Sequence, residues 1–98
     1  MHIGKKRSGS ALEITLEGRL DTATAPELEK ELDQSLEGID DLTFDFSSLA
    51  YISSAGLRVL LAAHKRMLGK GQMKITHVNE IVSEVFDVTG FSDILTIE

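Results

Sequence analysis

Apolar and polar residues alternate from Ser10 to Gly18, with Leu12, Ile14 and Leu16 on one side and Ala11, Glu13, Thr15 and Glu17 on the other. A period of two is that of a half-buried β-strand. Upstream, "HIGKKR" carries the pattern more weakly and "RSGS" reads as a turn, so a short first strand is expected to pair with this one as a hairpin. Past Gly18 the period lengthens. In "GRLDTATAPELEKELDQSLEG", Leu28, Leu32, Ser35 and Leu36 share one helical face and Gly38 ends it. Thr24 is the expected cap, Pro26 suits the first turn, and Glu27 stands three residues after Thr24 in the capping-box arrangement.

Alternation returns in "DLTFDFS", where Leu42, Phe44 and Phe46 oppose Thr43, Asp45 and Ser47, and a short loop is expected to lead to a helix from about Ser54. Leu57, Leu60, Leu61, His64 and Leu68 set its apolar stripe, Arg58, Lys65 and Arg66 its wetter side, and Gly69 and Gly71 its end. "QMKITHV" gives another strand, with Met73, Ile75 and His77 on one side. Asn79 is a natural N-cap for a third helix, whose Ile81, Val82, Val85, Phe86 and Val88 form a broad apolar stripe before Gly90. A last short strand is expected in "DILTIE". Strands separated by helices pair mostly in parallel through right-handed crossovers. The expected architecture is one α/β domain over residues 1–98, a mixed four- to five-stranded sheet packed with amphipathic helices.

Composition narrows what such a domain does. With 42% hydrophobic and 27% charged residues, the 98-residue chain has the make-up of a globular protein. A net charge of −6 repels phosphate backbones and anionic lipid, which argues against nucleic acid and membrane surfaces as partners. There is no cysteine, so disulfides and thiolate chemistry are excluded. No apolar run approaches the about 20 residues of a membrane span, and Met1 to Ser10 lacks a signal-peptide core. A cytoplasmic location is the resulting expectation.

The candidate chemistry is sparse. Ile52-Ser53-Ser54-Ala55-Gly56 has isoleucine where a nucleophile elbow needs its first glycine, and neither His64 nor His77 has an evident place beside the serines, so a small serine hydrolase is a weak alternative. No metal-ligand spacing, P-loop or dinucleotide fingerprint occurs, and no cofactor or metal is expected. The acidic residues Glu27, Glu29, Glu31, Asp33 and Glu37 read as a solvated helix face.

The adjacent serines Ser53 and Ser54 admit two readings. Either can cap the helix that follows. Alternatively, a serine in a first helical turn, at the positive end of the macrodipole, accepts a phosphate without unfolding the helix. Gly56, lacking a Cβ, is expected to leave clearance for another protein's active site.

The segments "ITLEGRLDTATAPELEKEL", "LTFDFSSLAYISSAGLRVLLAAHKRM" and "MKITHVNEIVSEVFDVTGFSDIL" together span nearly the whole chain and closely resemble STAS domains, specifically free-standing bacterial anti-sigma-factor antagonists. The most specific part is the strand, the S-S-x-G-L turn and the helix after it. The resemblance implies that the serine two residues before the motif's glycine, Ser54, is phosphorylated by an anti-sigma factor that is also a serine kinase of the GHKL ATP-binding type. It further implies that the dephosphorylated antagonist binds that kinase and frees the sigma factor, and that a PP2C-type phosphatase restores the binding form. Many such antagonists carry aspartate just before the phosphorylated serine. This chain has Ser53 there, which makes Ser53 a competing acceptor. Asp21 matches a family acidic position, which by resemblance helps shape the kinase-facing surface, and the alternative reading is a turn-forming aspartate. The expected partner surface also takes in Thr22, Ser53, Ala55, Gly56, Leu57 and Arg58, with Ala55 and Leu57 adding apolar contact. The same-family alternatives are a stressosome-like scaffold module and the soluble partner of a transporter.

Overall fold

A computed structural model describes residues 1–98. Five strands, β1 (His2–Ser8), β2 (Ala11–Leu20), β3 (Asp41–Ile52), β4 (Gln72–Thr76) and β5 (Thr96–Ile97), form one sheet in the order β1-β2-β3-β4-β5. The hairpin β1–β2 is antiparallel, from His2 opposite Glu17 to Ser8 opposite Ala11. The other three pairings are parallel. Helices α1 (Ala25–Ser35), α2 (Ser54–Met67) and α3 (Glu80–Thr89) are the crossovers, and a short 3-10 turn, Phe91–Asp93, precedes β5.

Only one face of the sheet is covered. Leu12, Ile14, Leu16, Leu42, Phe44, Phe46, Met73 and Ile75 are buried, while Glu13, Glu17, Thr43, Asp45 and Lys74 on the alternate positions keep solvent contact. Successive right-handed crossovers in one direction along the sheet place all three helices on that face. The resulting core of 24 buried residues is entirely apolar and is keyed by Phe46, whose ring lies edge-on to Phe44 at 6.0 Å and stacked on Phe86 at 6.5 Å.

Where the expected loop follows Ser47, the strand continues to Ile52. Two register shifts against β2 each insert an extra residue into β3, one between Asp45 and Ser48 and one between Leu49 and Tyr51. The first turns Leu49 inward in place of Ser48, and the second brings Ile52 inward opposite Leu20. Strict alternation therefore ends at Ser47 although the strand does not.

Four further expectations are corrected. β4 stops at Thr76, and His77 takes a left-handed backbone (φ 59°) that turns the chain toward α3. On α2 the buried arc is Gly56, Leu57, Val59, Leu60, Ala63 and Met67, whereas His64 is only half-buried and Leu68 is exposed. On α3 only Val82 and Phe86 are buried, leaving Ile81 and Val88 in solvent. Gly69, at φ 80°, ends α2, but Gly71 serves packing: a Cβ there would stand 1.7 Å from the carbonyl oxygen of Asp40. Asn79 caps α3 as expected, accepting from Val82 N–H at 2.8 Å, and its amide also donates to the Leu49 carbonyl at 2.8 Å.

Candidate functional site

β2 and β3 end together. The backbone N–H of Ser53 donates to the carbonyl of Leu20 at 2.9 Å, so the loop opening at Asp21 and the start of α2 share one end of the sheet. A shallow notch of about 220 Å³ joins them, lined among others by Thr22, Pro26 and Glu29 from one side and by Ala55, Arg58 and Ala62 from the other. Arg58 is exposed and takes part in none of the ion pairs.

The two serines differ. Ser53 is the extended N-cap residue of α2, yet its Oγ is buried, caps no N–H group and has no hydrogen-bond partner. Ser54, the first helical residue, is exposed. The first helical bond runs from Leu57 N–H to the Ser53 carbonyl at 3.0 Å, which leaves the N–H groups of Ser54, Ala55 and Gly56 without intrahelical acceptors. The only exposed hydroxyl of the pair thus stands in a turn whose dipole and free donors favour negative charge.

Gly56 and Leu57 are not surface residues. A Cβ on Gly56 would lie 2.7 Å from Leu20 Cγ and 2.8 Å from Ile52 Cγ1, so the glycine lets α2 close on the ends of β2 and β3 and gives no clearance to a partner. Leu57 is 4% exposed and belongs to the core. Both position the turn that presents Ser54, and of the expected apolar contacts only Ala55 remains partly exposed.

Asp21 organises the neighbouring loop. Its Oδ1 accepts from the N–H groups of Ala23 and Thr24, each at 3.1 Å. These bonds, that of Thr24 foremost, with the Thr24 hydroxyl and the Arg19 guanidinium, hold the carboxyl below its ordinary pKa against the opposing effect of desolvation. Thr24, expected to cap α1 with Glu27, instead turns its hydroxyl back to the Arg19 carbonyl at 2.8 Å and caps nothing. The turn-forming reading of Asp21 is the one its contacts express. Arg19 lies 4.4 Å over the ring of Tyr51, a pair the sequence reading missed because parallel register across two bulges is not visible in either strand alone. Neither His77 nor His64 hydrogen-bonds to a serine of the pair; His77 Nδ1 sits 3.2 Å from Asp45 Oδ1 and 3.2 Å from Thr76 Oγ1.

This sheet, with its helices on one face and an exposed first-turn serine where two parallel strands end, is that of a small mixed α/β domain, and comparison gives its family. The STAS domain profile matches residues 2–98, and the chain belongs to the STAS domain family. It is 30% identical over 97 residues to the anti-sigma-B factor antagonist of Listeria monocytogenes, covering 96% of this chain and 84% of that one. To the anti-sigma-B factor antagonist of Bacillus subtilis it is 26% identical over 98 residues, covering 99% and 90%. The crystal structure of an anti-sigma factor antagonist from Mycobacterium paratuberculosis has a TM-score of 0.89 at 18% identity, covering 98% and 83%. The Bacillus cell fate determinant SpoIIAA in its phosphorylated form has a TM-score of 0.76 at 14% identity, covering 99% and 91%. The two structural likenesses concern the fold. No helix of the chain is long and apolar enough to cross a membrane.

Proposed function

We propose that this protein is an anti-sigma factor antagonist, a non-enzymatic cytoplasmic binding module switched by phosphorylation of Ser54. The observation that carries the reading is the contrast within the serine pair: Ser54 is exposed at the first turn of α2, and the Ser53 hydroxyl is buried. In the dephosphorylated form, Ser54, Ala55, Arg58 and the Asp21–Thr22 loop offer a surface to an anti-sigma factor that is also a GHKL-type serine kinase. Capture of that protein releases its sigma factor. Phosphate adds about −1.5 to −2 charges at the centre of this surface, and the repulsion and desolvation cost dislodges the partner without disturbing the fold. A PP2C-type phosphatase reverses the step. No cofactor enters the scheme.

A pull-down from the native host with wild type and Ser54→Asp side by side tests this reading. The expected result is a GHKL-type kinase captured by wild type and lost with the variant, the circular dichroism of the two being equal. Equal capture of transporter or scaffold proteins by both forms would leave the fold and remove the switch.

A further inference from the structure

Four large apolar side chains stand in solvent: Leu68, 63% exposed; Ile81, 58%; Val88, 79%; and Ile94, 46%. They divide by charge. Ile81 and Val88, seven positions apart on α3, line one helical stripe with half-buried Val85, and Ile94 follows the 3-10 turn packed against that helix. On α3 and the turn after it every charged residue is acidic, Glu80, Glu84, Asp87 and Asp93, and residues 78–98 contain no lysine, arginine or histidine. Leu68 closes α2 between Lys65 and Lys70, both exposed and in no ion pair, while the nearby Arg66 is held by Asp33 at 2.6 Å.

We propose that the α3 stripe is a docking surface for a second copy of this chain, with the acidic-rimmed face of one copy receiving the Leu68 knob and its two lysines from the other. Each half has what the other lacks: an apolar track rimmed by unpaired carboxylates, and an apolar knob flanked by unpaired ammonium groups. α2 and α3 both run back toward the strand starts, so Leu68, Val88 and Ile94 lie toward the end of the sheet opposite Ser54. Ile81, in the first turn of α3, lies nearer the Ser54 end, so association centred on Leu68, Val88 and Ile94 leaves the Ser54 surface free. A two-fold pair makes the contact twice. The side chains involved cover on the order of a few hundred Å² per partner, which belongs to reversible rather than permanent assembly.

Sedimentation equilibrium of the whole chain across protein concentration, at low and high salt, tests the proposal. The expected result is self-association weakened about tenfold or more by salt. Leu68→Ser and Val88→Ser, both at exposed positions, are each expected to weaken it about tenfold or more with unchanged circular dichroism. Glu84→Lys/Asp87→Lys and Lys65→Glu/Lys70→Glu are each expected to be monomeric alone and to associate when mixed. A wild type that stays monomeric at every concentration overturns the proposal, as does association that survives Leu68→Ser and Val88→Ser, or a mixture of the charge-reversed variants that fails to associate. A monomeric wild type that binds a synthetic amphipathic Leu–Lys helix through Val88 overturns it in favour of a basic foreign partner.

Discussion

The Ser53 hydroxyl is buried without a partner, and the Ser54 hydroxyl, one residue on, is in solvent. An unsatisfied buried hydroxyl contributes nothing to stability and carries its desolvation cost, so Ser53→Ala should leave the free energy of urea unfolding unchanged or slightly raised. A serine whose oxygen did cap the helix would lose about 0.5–2 kcal/mol on the same change, and a loss of that size would show that Ser53 Oγ bonds to the first turn in solution. The sequence makes both serines equivalent candidates. What separates them is the path of the chain, because the N-cap residue, held to the Leu20 carbonyl, has its side chain under the turn while the next residue faces outward. Gly56 shows the same limit: the glycine is legible, but whether its missing Cβ serves a partner or the core depends on Leu20 and Ile52 standing behind it.

At the scale of elements, the entry to α1 rests on Asp21 rather than on the Thr24–Glu27 box, because Asp21 accepts from two N–H groups and Thr24 faces away. Asp21→Ala should therefore lower the urea midpoint more than Glu27→Gln does, and the reverse order would restore the capping box. Hydrophobic period with its turn and cap residues gives the β1–β2 hairpin, the body of β4 and the existence of α1, α2 and α3, and of the expected side-chain caps Asn79 is the one that forms. It misplaces the end of β3, because two bulges reset the phase between Phe46 and Ile52. It also overstates the buried stripe of α3, because the helix packs on β3 only along the side that carries Val82 and Phe86. Sequence period shows which residues are apolar, and the width of the surface beneath decides how many are covered.

For the molecule as a whole, acid stability follows from two carboxylates. Asp45 is held below its ordinary value of 3.8, chiefly by the Ser47 backbone N–H and further by His77, and Asp21 is lowered likewise by the Thr24 N–H. The folded chain therefore binds fewer protons than the unfolded chain in this range. The stabilisation is fully present above the ordinary value and is lost as pH falls through the lower folded value. Melting temperature measured from about pH 5 down to about pH 2 should fall less steeply in Asp45→Asn than in wild type, and identical slopes would mean that Asp45 is not ionised more readily in the folded state.

The switch assigned to Ser54 is tested most directly by mapping the phosphate itself. After incubation with ATP and the kinase recovered by the wild-type protein, mass spectrometry should place one phosphate on Ser54 in wild type and in Ser53→Ala, and none in Ser54→Ala. Phosphate on Ser53 in the wild type, or undiminished incorporation into Ser54→Ala, would contradict the account.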